Sequence, residues 1–99
     1  MDKFNISAGT KARIDRLFAP AERAAVATLL SEQCSTNLPG TRGWPGEAIE
    51  RIQFAALKVS GGSMSELVRA VQLANIDWRD VLVAAGFAHD TQAHKSWLE

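Results

Sequence analysis

Apolar residues recur along this chain at steps of three and four, the spacing that lines one face of a helix. Ile14, Leu17 and Phe18 form the first such stripe, and Thr10 stands where a helix over residues 10–18 needs a side-chain cap. Pro20 breaks that run and suits the first turn of a second helix, where its missing N–H is no loss. Val26, Leu29, Leu30 and Gln33–Cys34 carry the second stripe to residue 34. A third helix is predicted from Pro45 or Gly46 to Val59, with Ile49, Ile52, Ala56 and Val59 sharing a face. Glu47 precedes Arg51 by four positions, the favourable acid-first order for a surface pair.

Ser60-Gly61-Gly62 ends that helix, and Ser63-Met64-Ser65-Glu66 reads as a capping box opening a fourth. Met64, Leu67, Val68, Val71 and Ala74 are its inward positions. Asp77 reads as the cap of a fifth helix, with Ile76 and Val81 placed for a hydrophobic staple. Trp78, Val81, Leu82 and Ala85 face inward, Gly86 stops the helix, and Phe87 is placed to fold back onto Leu82. Asp90 reads as the cap of a last short helix with Ala93, Trp97 and Leu98 inward. Residues 1–9 lack periodicity and are expected to fray. β-Branched residues never alternate over five positions, so no strand is predicted. The pattern predicts an all-α domain over residues 1–99, a compact bundle or orthogonal array of five to six short helices.

The longest interruption is Cys34-Ser-Thr-Asn-Leu-Pro-Gly-Thr-Arg-Gly-Trp-Pro-Gly46, long for a connection in a small helical domain. Asn37 is expected to end the second helix in a left-handed conformation, with Pro39 barring its continuation. Gly40, Gly43 and Gly46 recur at every third position, but no strand precedes them and no Gly-Lys-Ser/Thr follows, so they make no phosphate loop. Arg42 and Trp44 in this loop are of the residue types that dominate binding hot spots.

Composition narrows the functional classes. The 99 residues are 46% apolar, enough for one core, and 11 basic side chains balance 11 acidic ones. That neutrality weakens a nucleic-acid reading, which needs a basic excess. Cys34 is the single cysteine, so no internal disulfide forms. No secretory leader and no apolar run long enough for a membrane span is present, and the expected location is the cytoplasm.

Three kinds of chemistry are open to the polar residues of the chain, each beside a plain structural role. Cys34 with His89 or His94 is the available nucleophile set, yet Cys34 lies on an apolar stripe. His89, Asp90 and His94 make at most half of a metal site. Residues 65–86 have the outline of a helix-turn-helix with Arg69 and Arg79 as DNA contacts, but its second helix opens with Asp77 and Asp80 beside a single base. Ala74–Gly86 resembles one helical unit of a HEAT-type solenoid, and no second copy follows at a period of about 30–50 residues.

The expected function is therefore a protein-binding or regulatory module, not an enzyme, with no cofactor and no metal. Arg42 and Trp44 are its expected partner contacts. DNA binding through Arg69 and Arg79 is the alternative. Self-association through the alanine-rich stretch Ala19–Ala27 stays open.

Overall fold

The computed structural model describes residues 6–98. Residues 1–5, the larger part of the segment expected to fray, lie outside the described residues, as does Glu99. Four helices and no strands are found among the described residues: α1 (Ala8–Leu17), α2 (Pro20–Gln33), α3 (Gly46–Ser60) and α4 (Met64–Ala85). The all-helical architecture matches the periodicity, and the expected count of five to six helices is corrected to four.

Two causes account for the difference. The expected fourth and fifth helices are one element, bent where Asp77 takes extended angles (φ −156°, ψ 99°). The Asp77 carboxylate accepts from the Arg79 backbone N–H at 3.0 Å, so it caps the second half as the sequence predicts, and the two halves meet at this kink with no loop between them. The helix expected from Asp90 is replaced by successive turns, closed by Ala93 N to Asp90 O, Lys95 N to Gln92 O and Trp97 N to His94 O.

Local capping follows side-chain chemistry. Ser7, not Thr10, caps α1, its hydroxyl oxygen accepting from Thr10 N at 3.1 Å. Pro20 occupies the first turn of α2. Ser63 accepts from Glu66 N at 3.3 Å, while Glu66 turns toward Arg69 (3.7 Å), so half of the capping box forms. At the end of α4, Gly86 is left-handed (φ 80°), and Phe87 N donates to Leu82 O at 2.9 Å while Gly86 N donates to Val83 O at 3.0 Å. This double closure returns the Phe87 ring to the core. The staple fails: Val81 is buried, but Ile76 is 79% exposed. Val59 also faces outward, at the edge of the Gly61–Gly62 turn.

The core forms where α3 packs along α4, with α1 and α2 closing the other side. Ile14, Val26, Leu30, Ile52, Leu57 and Leu67 are almost fully buried. Polar side chains on and beside this core tie the helices together through hydrogen bonds. Gln53 on α3 receives the Thr10 hydroxyl (3.2 Å) and donates to Cys34 O (3.1 Å) and Leu30 O (3.4 Å), tying α1, α2 and α3 together. Ser7 donates to the Glu50 carboxylate, a second tie from α1 to α3. Arg13 lies 4.3 Å over the Phe54 ring and donates to Trp97 O and Lys95 O, both at 3.1 Å. That fork holds the C-terminal segment on α1.

Candidate functional site

The α2–α3 loop is a staircase of turns. Leu38 N donates to Ser35 O, Thr41 N to Leu38 O and Trp44 N to Thr41 O, one step every three residues. Left-handed angles at Gly40 (φ 74°) and Gly43 (φ 81°) allow the chain to turn after each step. Leu38 and Thr41 are consequently buried and Trp44 half-buried, while Pro39, Gly40, Arg42 and Gly43 face out. The three-residue glycine spacing was the sequence signal for this loop. Asn37 is not left-handed; its side chain accepts from Ser35 N (3.0 Å) and donates to Gln33 O (3.0 Å) and to Asn75 on α4 (2.8 Å).

This scaffold delivers Trp44 against Trp78, which α4 presents just past its bend. Their ring centroids are 4.8 Å apart with the planes at 76°. The Trp78 indole N–H donates back to Pro39 O at 3.0 Å, fastening the loop to α4. Trp44 is therefore both a packing residue and part of the surface. Arg42 projects into solvent with no polar partner among the described residues.

Two shallow hollows flank Trp78. One, of about 240 Å³, is walled by Trp44, Pro45, Ile52, Trp78 and Leu82, with Arg51 at its edge. The other, of about 300 Å³, lies between Pro39, Gly40 and Ile76. A third, of about 210 Å³, adjoins the first around Arg51 and reaches Thr91, His94 and Lys95. Arg51 does not pair with Glu47 as the spacing suggested. It turns inward and donates to Phe87 O at 2.7 Å.

His94, weighed in the sequence only as a partner for Cys34 or a metal ligand, is 2% exposed. Its ring stands edge-on to Phe54 (5.3 Å) and Phe87 (6.2 Å). Neither ring nitrogen has a hydrogen-bond partner, and neither does Arg51 Nε. Burial is the main cause holding the His94 pKa below its ordinary value; Arg51, Lys95 and Arg13 add to it and Glu50 opposes it.

The other weighed residues lie elsewhere. Cys34 is fully buried at the end of α2, and burial pushes its thiol up to about 12, far from a nucleophile's range. His89 is exposed. No three metal-ligating side chains come together among the described residues. Arg69 reaches Glu66, and Arg79 binds Asp77 at 3.0 Å, which lowers the Asp77 pKa. Ala21, Ala24 and Ala25 of the alanine-rich stretch are exposed. A larger hollow of about 550 Å³ lies between α1 and α2, with Lys11 on its rim beside Asp15 and Arg23, which are paired at 3.6 Å. No helix among the described residues is long and apolar enough to cross a membrane. In comparisons with known proteins, the chain matches no family model, no curated protein and no solved structure.

Proposed function

We propose that this protein is a docking module that binds a segment of another protein on the face built from Arg42, Trp44, Ile76 and Trp78. Ile76, 79% exposed, stands beside the hollow lined by Trp78 and Pro39, and this placement supports the face most directly. An exposed isoleucine beside half-buried tryptophans offers apolar contact area, and the loop beneath is fixed by turns and by the Trp78–Pro39 bond. A preorganised surface loses less entropy on binding than a mobile one. Arg42 at the edge supplies a cation free to meet a partner's acceptor.

Site-specific photo-crosslinking in cells tests this reading. A photoreactive residue at Arg42 or Ile76 should trap the same partner, and one at Ala24 on α2 should not. Adding Trp44→Ala should abolish the adduct while the helical circular dichroism spectrum is kept. Equal trapping from all three positions would refute the assigned face. A trapped second copy of this chain would replace the heterologous partner by self-association.

A further inference from the structure

We infer that the groove running from the Trp44–Trp78 cleft past Arg51 to His94 is a binding site for an organic carboxylate with an apolar body. The inference deepens the docking reading by naming the chemistry recognised, and depends on it only for where the ligand comes from.

The two ends of the groove are joined by a common wall. The apolar hollow and the polar one share Pro45, Ala48 and Arg51. At the apolar end Trp44, Ile52, Trp78 and Leu82 offer surface for an aryl or alkyl group. At the polar end Thr91, Gln92 and Lys95 offer hydrogen-bond donors, with the His94 ring in the same wall. Few precisely placed polar groups beside an apolar wall are the usual make-up of a small-ligand site.

The buried polar atoms give the strongest indication. His94 lines the polar end, is 98% buried, and leaves both ring nitrogens unpartnered. Arg51 Nε is buried and unpartnered in the same wall. Desolvated donors without acceptors are costly, and folded proteins satisfy nearly all of them with protein, water or ligand.

Charge selects the kind of anion. Arg51 and Lys95 are offset by Glu47 on the same rim, a net excess of one positive charge. A monovalent carboxylate matches that excess, whereas a phosphate dianion brings a second charge beside Glu47. The apolar end has no use for an inorganic ion.

Titration of the labelled full chain with 3-phenylpropionate tests the inference, read by tryptophan fluorescence and by the His94 ring resonances. Saturable binding should shift His94 and both Trp44 and Trp78 indoles. The uncharged isostere 3-phenylpropionamide should bind roughly tenfold more weakly, the worth of about one charge-assisted hydrogen bond. Lys95→Gln, at an exposed position, should weaken the acid more than the amide. A tripeptide ending in phenylalanine, as free acid and as C-terminal amide, distinguishes the sources. Tighter binding of the peptide acid assigns the carboxylate to a partner's chain end; tighter binding of the small acid assigns it to a free metabolite.

Equal binding of acid and amide would overturn carboxylate recognition and leave the docking face standing. No saturable binding by either acid would overturn the site itself. Inorganic phosphate competing as well as 3-phenylpropionate would overturn the two-part groove. Failed crosslinking at Arg42 with intact acid binding would remove the docking reading alone.

Discussion

Trp44 and Trp78 meet edge to face at 4.8 Å, one delivered by the last step of a turn staircase and the other by the first turn after a helix bend. Neither position is defined by its own helix. The contact exists because the loop rises three residues per step and because Asp77 redirects α4 toward it. Removing either device would separate the rings and open the groove.

The pair should therefore be energetically coupled. In a double-mutant cycle with Trp44→Ala and Trp78→Ala, urea denaturation should give an interaction of about 0.5–1.5 kcal/mol, the range for aromatic pairs beyond their burial. Trp78→Ala should be the costlier single change, because it also removes the indole N–H bond to Pro39 O that fastens the loop to α4. Additive single effects would show that the rings pack independently.

Gln53 holds three helices by one side chain. Gln53→Ala removes the acceptor for Thr10 and the donor for Cys34 O and Leu30 O, leaving buried groups unpaired. A loss of about 2–4 kcal/mol in unfolding free energy is expected, combining unsatisfied groups with a small cavity. Gln53→Glu should be at least as damaging, since an ionised carboxylate cannot donate to two carbonyls. Thermal denaturation of both variants checks the order.

Much of this architecture was legible in the chain. The 3.6-residue stripes locate the core faces of α2, α3 and α4, and Pro20, Ser63 and Gly86 mark boundaries through their backbone chemistry. Asp77 was readable as the cap between two helical halves but not as the loop-free kink that joins them, because the angle between the halves is set by tertiary packing. The segment after Asp90 was misread as helix because Ala93 and Trp97 have helical spacing; what fixes it is Arg13, more than 80 positions away, gripping two of its carbonyls. The candidate site was half legible. Arg42 and Trp44 stood out by residue type, but Trp78 read as core, Ile76 as a staple, and nothing local joined Arg51 to His94. Periodicity reports which face of one element is apolar, not which elements meet.

The Gly61–Gly62 turn should show a sharp asymmetry. Both residues have positive φ, 58° and 88°, so alanine is strained at either. A Cβ at Gly61 meets open space, whereas one at Gly62 falls 2.7 Å from the backbone oxygen of Leu17. That oxygen belongs to the end of α1 and cannot move without shifting the helix. Gly61→Ala should cost about 1 kcal/mol and Gly62→Ala about 2–3 kcal/mol, the added cost coming from the clash. Equal melting temperatures for the two variants would contradict the close approach of the turn to α1.

Acid should weaken the fold through His94. Burial lowers the pKa of the ring in the folded protein, while in the unfolded chain it titrates near 6.5. Below that value the unfolded chain takes up a proton that the folded one resists, so stability present at higher pH is lost as pH falls from about 6.5 toward the depressed value. The charges bearing on the ring are Arg13 from α1, Glu50 and Arg51 from α3, and Lys95 beside it; only Glu50 favours protonation. His94→Phe keeps an aromatic ring against Phe54 and Phe87 but cannot titrate. Urea midpoints measured from pH 8 to pH 5 should fall more steeply for the wild type than for this variant. Parallel decline in both would mean that His94 takes up its proton without disturbing the fold.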